Sequence, residues 1–539
     1  MGKTAKRQNK RAAARAERES AALGARGASS SAAAGRGATA MTGLEGAGVQ
    51  KRPSGTSLGR VSRAVEAELT QEACVALDAL LAEVERGERA DAAPLALCSR
   101  VLGMCQKAGK AKPALRLLQR MELCGMPIGP VQLRQVFFAC CARGMITDAL
   151  ALMSRRDRET NARMLGKDVL VRGCDLMPGG VDGEAGMALL EGTLRGIAGG
   201  GWEPIPANFG GVRVHEQPPW RPPPARAEAA EEAAGGDPAH PGLFPLMPRG
   251  GDPAADAEAL APTLYPGGAD GSQSFWFVCD DDGRRRPADR EGLELWAPST
   301  PQTIPLAPAG LEPETERHDV PHVPGAFALS GLLTRRETAA LRAAAHAVGW
   351  RRDAPDPDAP ERGRLDYCEV VVWPETAARL WSRVRDHMPA GAAGINPRFR
   401  FFRYGPETVY RRHVDGSWPA GALTPEGAYV TDASDGKLRS KLTLLVYLSE
   451  GFEGGATTFY DAAPGHPGAV AARGVAPREG CALCFPHGDA EDSPVHEGSS
   501  VRPGVGGARH KYIIRTDVLF DVSGETQTLL QSGAAEAER

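Results

Sequence analysis

The chain has 539 residues with 64 Lys/Arg against 67 Asp/Glu, a formal net charge of −3, and 65 Gly and 43 Pro. That length holds two or three domains, while the Gly, Pro and Ala-rich stretches imply that much of it is not packed. No run reaches the length of a bilayer span, and no apolar core follows the basic start as a secretory signal requires, so neither a membrane nor a secretory protein is expected.

Residues 1–60 carry twelve Lys/Arg against three Asp/Glu and read as a basic disordered tail. The opening Met1-Gly2-Lys3-Thr4-Ala5-Lys6-Arg7 fits a nuclear signal or an acidic-poor transit peptide, so an intracellular protein of nucleus, plastid or mitochondrion is expected. Eleven cysteines scattered without paired spacing agree with a reducing compartment.

Over 61–158 a helix-pair pattern repeats with an offset of 35 residues: Cys105 with Cys140, Gly109 with Gly144, Ala114 with Ala149, Leu115 with Leu150. A period of that size predicts a short α-solenoid of stacked helical hairpins. Met104-Cys105-Gln106-Lys107-Ala108-Gly109-Lys110, followed by Ala114-Leu115-Arg116-Leu117-Leu118 and Gly125-x-Pro127, resembles pentatricopeptide repeats. The resemblance implies contact with single-stranded RNA, one base per repeat. Carrying the base-reading positions over puts Arg100 and Gln135 where that family has small polar residues, so a protein-contact role competes with RNA.

Residues 159–318 read as linker, with Pro218-Pro219-Trp220-Arg221-Pro222-Pro223-Pro224 marking extended chain. One island, 273–297, predicts a small hairpin from Phe275-Trp276-Phe277-Val278-Cys279 and Leu293-Glu294-Leu295-Trp296, joined by an acidic turn, Asp280-Asp281-Asp282-Gly283.

From 319 to 521 the pattern changes. Thr334-x-x-Glu337 is a capping box opening a helix to Val348, with Gly349 as its stop, and Pro374 begins a second helix over Glu375–His387. Short strand-like runs broken by Gly/Pro turns follow: 398–404, 441–448, 456–460, 481–485 and 511–520. They predict a double-stranded β-helix, or jelly roll, with supporting helices, in a multidomain α + β chain ending in a disordered tail over 522–539.

Within that region His413-x-Asp415 places two ligand-type side chains on one face of an extended segment, since i and i+2 point the same way. A third ligand must come from elsewhere, and two imidazoles with one carboxylate make the protein half of a non-haem Fe(II) site with open positions. His496 and His487 both stand downstream as the second imidazole; His487, directly after a strand, reads better as a hydrogen-bonding turn residue. Cys481-x-x-Cys484 lies in an apolar run without a second pair and reads as core thiols.

The string Tyr404-Gly405, Tyr410-x-x-His413-x-Asp415-Gly416-Ser417, Leu442 to Leu448, Phe452-x-Gly454-Gly455-x-Thr457-x-Phe459, Phe485-Pro486-His487, His496-Glu497-Gly498 and Lys511-Tyr512 resembles the 2-oxoglutarate/Fe(II) dioxygenases of the prolyl 4-hydroxylase type. The resemblance implies that His413, Asp415 and His496 ligate Fe(II), and that Lys511 pairs with the distal carboxylate of 2-oxoglutarate. It further implies hydrogen bonds to the cosubstrate from Thr443 and Tyr404, with Tyr410 nearer the substrate. Implied too are ascorbate dependence, succinate and carbon dioxide as by-products, and a protein or peptide substrate hydroxylated at proline. Arg515 shares a strand face with Lys511 and competes with it as the anchor. The stretch Gly504 to His510 is a few residues longer than that family carries before its lysine, so the register of Lys511 is the point the fold must decide.

Overall fold

The computed structural model describes residues 57–87, 94–158, 161–197, 199, 211–226, 252, 274–279, 295–307, 312–352, 365–488, 492–505 and 507–524. The basic tail up to residue 56, the acidic turn 280–283 and the tail beyond 524 lie outside the described residues.

The N-terminal part is helical: α1 (Ser57–Glu66), α2 (Thr70–Glu85), α3 (Leu95–Lys107), α4 (Ala111–Leu123), α5 (Pro130–Cys141) and α6 (Ile146–Met153). The helices come in pairs, and the starts of α3 and α5 lie 35 residues apart, 130 − 95. The turns repeat in detail. Gly109 and Gly144 both adopt positive φ, +59° and +66°. Lys110 N donates to Cys105 O at 2.8 Å as Met145 N donates to Cys140 O at 3.1 Å. A residue with a Cβ enters this left-handed helix end only with strain, which is why glycine stands at both.

The expected linker is corrected by two further helices, α7 (Lys167–Leu176) and α8 (Glu184–Ile197), which follow α5 and α6 by 37 and 38 residues, 167 − 130 and 184 − 146. Their glycines imitate linker composition, yet they are contact points. A Cβ on Gly173 would drive into the Phe137 ring, and one on Gly192 would come within 2.9 Å of Leu150. Small residues here let helices approach closely enough to bury Leu170, Cys174, Leu189 and Leu194.

The rest is sheet-rich. In chain order the strands are β1 (Arg213–Trp220), β2 (Phe275–Cys279), β3 (Leu295–Pro298), β4 (Glu316–Asp319), β5 (Phe327–Ser330), β6 (Arg351–Arg352), β7 (Asp366–Val371), β8 (Ala392–Ile395), β9 (Arg398–Tyr404) and β10 (Tyr410–His413). They continue with β11 (Ala422–Leu423), β12 (Tyr429–Val430), β13 (Leu438–Tyr447), β14 (Glu453–Gly454), β15 (Thr457–Ala462), β16 (Ala469–Val475), β17 (Ala482–Pro486), β18 (Val495–Gly498), β19 (Val501–Arg502) and β20 (Lys511–Asp521). The larger, 11-stranded sheet runs β2-β3-β7-β9-β20-β13-β17-β5-β4, with β6 beside β7 and β8 beside β20. The smaller runs β1-β16-β15-β18-β10.

The sheets bury a shared apolar layer: Tyr404, Leu445, Phe485 and Ile513 from the larger pack with Phe459 and Val475 from the smaller. This two-sheet arrangement is of the jelly-roll kind expected. The hairpin pairs as read, Trp276 opposite Ala297, but β3 also pairs in parallel with β7, so the island is an edge of the large sheet. β1, in the same presumed linker, extends the small sheet beside β16.

α9 (Arg335–Val348) starts at the expected capping box, with Glu337 N on Thr334 Oγ1 at 3.2 Å and Thr334 N on Glu337 Oε2 at 2.8 Å, and Gly349 at φ +93° stops it. α10 (Pro374–Val384) ends in a 3-10 turn, Arg385–His387. Arg383 on α10 forks onto the buried Glu337 carboxylate at 2.8 and 3.1 Å, locking the two helices against the large sheet. Cys481 and Cys484 are fully buried in the core, and burial pushes the Cys484 thiol up, as core thiols behave. Helices and sheets belong to one compact unit, Thr56–Arg539. Among the described residues no helix is long and apolar enough to cross a membrane.

Candidate metal centre

β10 is the edge strand of the small sheet and pairs antiparallel with β18, bringing His413 directly opposite His496. The ladder shifts between Tyr410 and His413, so both of these residues line one cavity. Asp415, two residues on, turns its carboxylate beneath the two rings. Its Oδ1 stands 3.2 Å from His413 Nε2 and its Oδ2 3.7 Å from His496 Nε2, with ring centroids 4.2 Å apart. One ligand atom from each of the three lies within 4.8 Å of the others, a span that a single ion fills.

Both imidazoles are held from behind. His413 Nδ1 donates to Arg411 O at 2.9 Å and His496 Nδ1 to Pro494 O at 3.2 Å, which leaves Nε2 of each ring as the lone-pair atom. Burial, then the neighbouring His413, pulls His496 down to about 3, so it stays neutral and able to ligate. Burial alone would raise the Asp415 carboxyl, but the Arg515 guanidinium beside it outweighs burial and holds it well below the usual range. Asp415 Oδ1 accepts no well-aligned hydrogen bond although Arg515 Nη1 is 2.6 Å away. A buried carboxylate oxygen beside two ring nitrogens is a donor set that fits a divalent ion.

A relay buried behind Asp415 fixes its other oxygen. Thr443 Oγ1 donates to Asp415 Oδ2 at 2.7 Å and accepts from His487 Nδ1 at 2.9 Å, while His487 Nε2 accepts from Ser440 Oγ at 2.8 Å. Two expectations bear on these residues. His487 makes hydrogen bonds through both ring nitrogens and stands outside the group of three that could hold one ion. Thr443 is corrected: it lies outside the cavity lining and spends its hydroxyl on Asp415, because it sits beneath that carboxylate on β13.

The cavity is lined by Tyr404, Tyr410, His413, Asp415, Leu445, Phe485, His496, Lys511, Ile513 and Arg515, among others. Lys511 arrives in it despite the longer preceding stretch, which closes on itself through Gly504 N to Ala508 O, 3.0 Å, leaving Lys511 paired with Tyr404. Its Nζ donates to Gly455 O at 2.7 Å and lies 4.8 Å from the Tyr404 ring centre. Burial drives it down to about 7. Arg515, four residues along the same face, points at Asp415 and at Asp517, 3.6 Å away, and serves the carboxylate side of the site. His413 keeps 23% of its side chain exposed against 1% for Asp415, which marks the mouth. Tyr410 stands edge-on to His413 there, centroids 4.4 Å apart.

Residues 399–516 match the family described as the 2OG-Fe(II) oxygenase superfamily, and this C-terminal region is a 2-oxoglutarate/Fe(II) oxygenase domain. No curated protein matches the chain. Among solved structures, the viral collagen prolyl hydroxylase of Paramecium Bursaria Chlorella virus-1 in its 2OG complex is similar at 17% identity and a TM-score of 0.24, over 36% of this chain and 96% of that one. An oxidoreductase of the 2OG-Fe(II) oxygenase family from Burkholderia pseudomallei is similar at 15% identity and a TM-score of 0.23, over 36% and 84%.

Proposed function

We propose that the C-terminal domain hydroxylates a peptidyl residue, proline in the first instance, in a reaction that consumes dioxygen and 2-oxoglutarate. The observation that carries the reading is the convergence of His413 Nε2, His496 Nε2 and the Asp415 carboxylate within 4.8 Å, each held from behind by a hydrogen bond. Fe(II) and 2-oxoglutarate, bound together, supply the oxidising chemistry and release succinate and carbon dioxide.

The protein's part is to bind, orient and exclude water. His413, Asp415 and His496 would hold the metal, with Thr443 and Arg515 keeping Asp415 ionised and fixed. Lys511, a buried ammonium with a backbone carbonyl and aromatic faces around it, regains a counter-charge from the distal carboxylate of the cosubstrate. Tyr404 closes that end of the cavity. Leu445, Phe485 and Ile513 form an apolar wall that keeps water from the reacting centre. Tyr410, at the open side, orients the substrate. Ascorbate enters the proposal as the reductant that restores the metal.

The choice of peptide and of proline rests on the motif resemblance set out above. The paired helices, with their pentatricopeptide-like wording, support single-stranded RNA as the competing substrate or partner. An inactive adaptor is opposed by the presence of all three ligand groups and the lysine.

Succinate release tests the proposal, measured with Fe(II), 2-oxoglutarate and ascorbate in the presence of proline-containing peptides, of single-stranded RNA, or of neither. Stimulation by peptide supports the reading. Stimulation by RNA alone moves the substrate class, and silence in all three arms from a metal-loaded protein supports the adaptor.

A further inference from the structure

Two residues flanking His413, Arg412 on β10 and Val414 just after it, stand outside the cavity lining, and both are gripped by the helices. Val414, between the ligands His413 and Asp415, packs against the helical core, which also takes in Tyr460, Val470, Ala472 and Val495 of the small sheet. Arg412, the residue before His413, is 8% exposed. Its guanidinium reaches Asp182 at 3.0 Å, Val181 O at 3.3 Å and Met187 Sδ at 3.0 Å, all in or just before α8. The same group lies 3.5 Å from Glu497, the neighbour of His496, and 4.2 Å from the centre of the Tyr460 ring.

One cation thus ties together the strand of the first imidazole, the strand of the second and the helical lobe. Nearby contacts repeat the theme: Arg411 pairs with Asp175 at 3.3 Å, Gly468 N donates to Glu191 at 3.2 Å, and Lys167 Nζ donates to Ser493 O three residues before His496.

We propose that the helical lobe is the backing of the metal centre, with Arg412 the positioning residue that sets the separation of His413 and His496. The inference rests on the metal reading above and deepens it. Among the described residues β10 is an edge strand, paired with β18 and shifted in register next to His413, so its own sheet does not fix it firmly. A charge-assisted fork on that strand supplies the missing constraint, and its loss lets His413 swing relative to His496. Arg412 does not line the cavity and meets no ligand atom, so it acts on the metal through the strands it ties, one of them by way of Glu497, which does line the cavity.

The test is Fe(II) affinity, measured anaerobically by equilibrium dialysis on the full chain, alongside urea unfolding of the metal-free protein. Arg412→Ala is expected to weaken Fe(II) binding about ten- to a hundred-fold, as loss of a group that orients metal ligands does. Arg412→Lys, keeping charge but not the fork, should recover part of it. Asp182→Asn alters a side chain that is 56% exposed and keeps the protein folded even if Arg412→Ala does not. Its expected loss is about two- to five-fold. Unchanged Fe(II) affinity in Asp182→Asn and in whichever Arg412 variant folds, with wild type binding well, overturns the inference alone. Failure of wild type to bind Fe(II) overturns the metal reading and the inference with it.

Discussion

Arg515 Nη1 stands 2.6 Å from Asp415 Oδ1, with the guanidinium 12% and the carboxylate 1% exposed, so the acid expected to hold iron is neutralised before any metal arrives. Arg515 and Lys511 share one strand face, yet Arg515 meets the Asp415 carboxylate while Lys511 donates to Gly455 O.

Replacing Arg515 by Gln leaves Asp415 as a buried charge without its cation. Breaking such a pair costs about 3–5 kcal/mol, so the metal-free variant should melt well below wild type. A divalent ion restores the missing positive charge. Adding Mn(II) should therefore raise the melting temperature of Arg515→Gln more than that of wild type, as read by thermal unfolding; equal shifts would detach Arg515 from the metal ligand.

Lys511 makes cosubstrate binding pH-dependent. In the free protein burial lowers it to about 7, whereas a bound carboxylate favours the charged form and raises it again. Binding then takes up a proton once pH exceeds about 7. Affinity for 2-oxoglutarate, measured anaerobically with metal present, should be flat below about pH 7 and weaken about tenfold per unit above it. Lys511→Met should lose about 2–5 kcal/mol of cosubstrate binding and the pH dependence together, while retaining metal.

Thr443→Val removes the hydroxyl that fixes Asp415 Oδ2 and keeps the shape of the side chain. Fe(II) affinity should drop about ten- to a hundred-fold. A variant that holds iron normally but loses 2-oxoglutarate would return Thr443 to the cosubstrate role the motif resemblance implied.

Gly173→Ala tests the helices found in the expected linker. In an exposed helix this change helps by removing backbone freedom, but here the new methyl meets the Phe137 ring. Overpacking of this kind costs about 1–3 kcal/mol, so the urea midpoint should fall; a rise would mean that α7 is not packed on α5.

The contrast between these sites explains what the sequence makes legible. Thr334 with Glu337, or His413 with Asp415, act over two or three residues, and local geometry dictates their arrangement. The 35-residue period is visible because the same turn bond recurs at Lys110 and Met145. The packed role of Gly173, Gly186 and Gly192 is hidden, since glycine in a linker and glycine at a close helix contact look alike in one dimension. The Thr443–His487–Ser440 relay is equally hidden, since His487, just after β17, meets Ser440 and Thr443 of β13 only once the sheet forms. Arg412 left a signal in its place beside His413, but its partners at 181–187 sat in a stretch whose composition argued against structure.

Anaerobic titration of the full chain with Fe(II) in the presence of 2-oxoglutarate, followed by the visible metal-to-cosubstrate charge-transfer band, addresses the metal centre most directly. The band should form in wild type and be lost or strongly weakened in both His413→Ala and His496→Ala. A band of undiminished intensity and affinity in either variant contradicts a site built on these two imidazoles and Asp415.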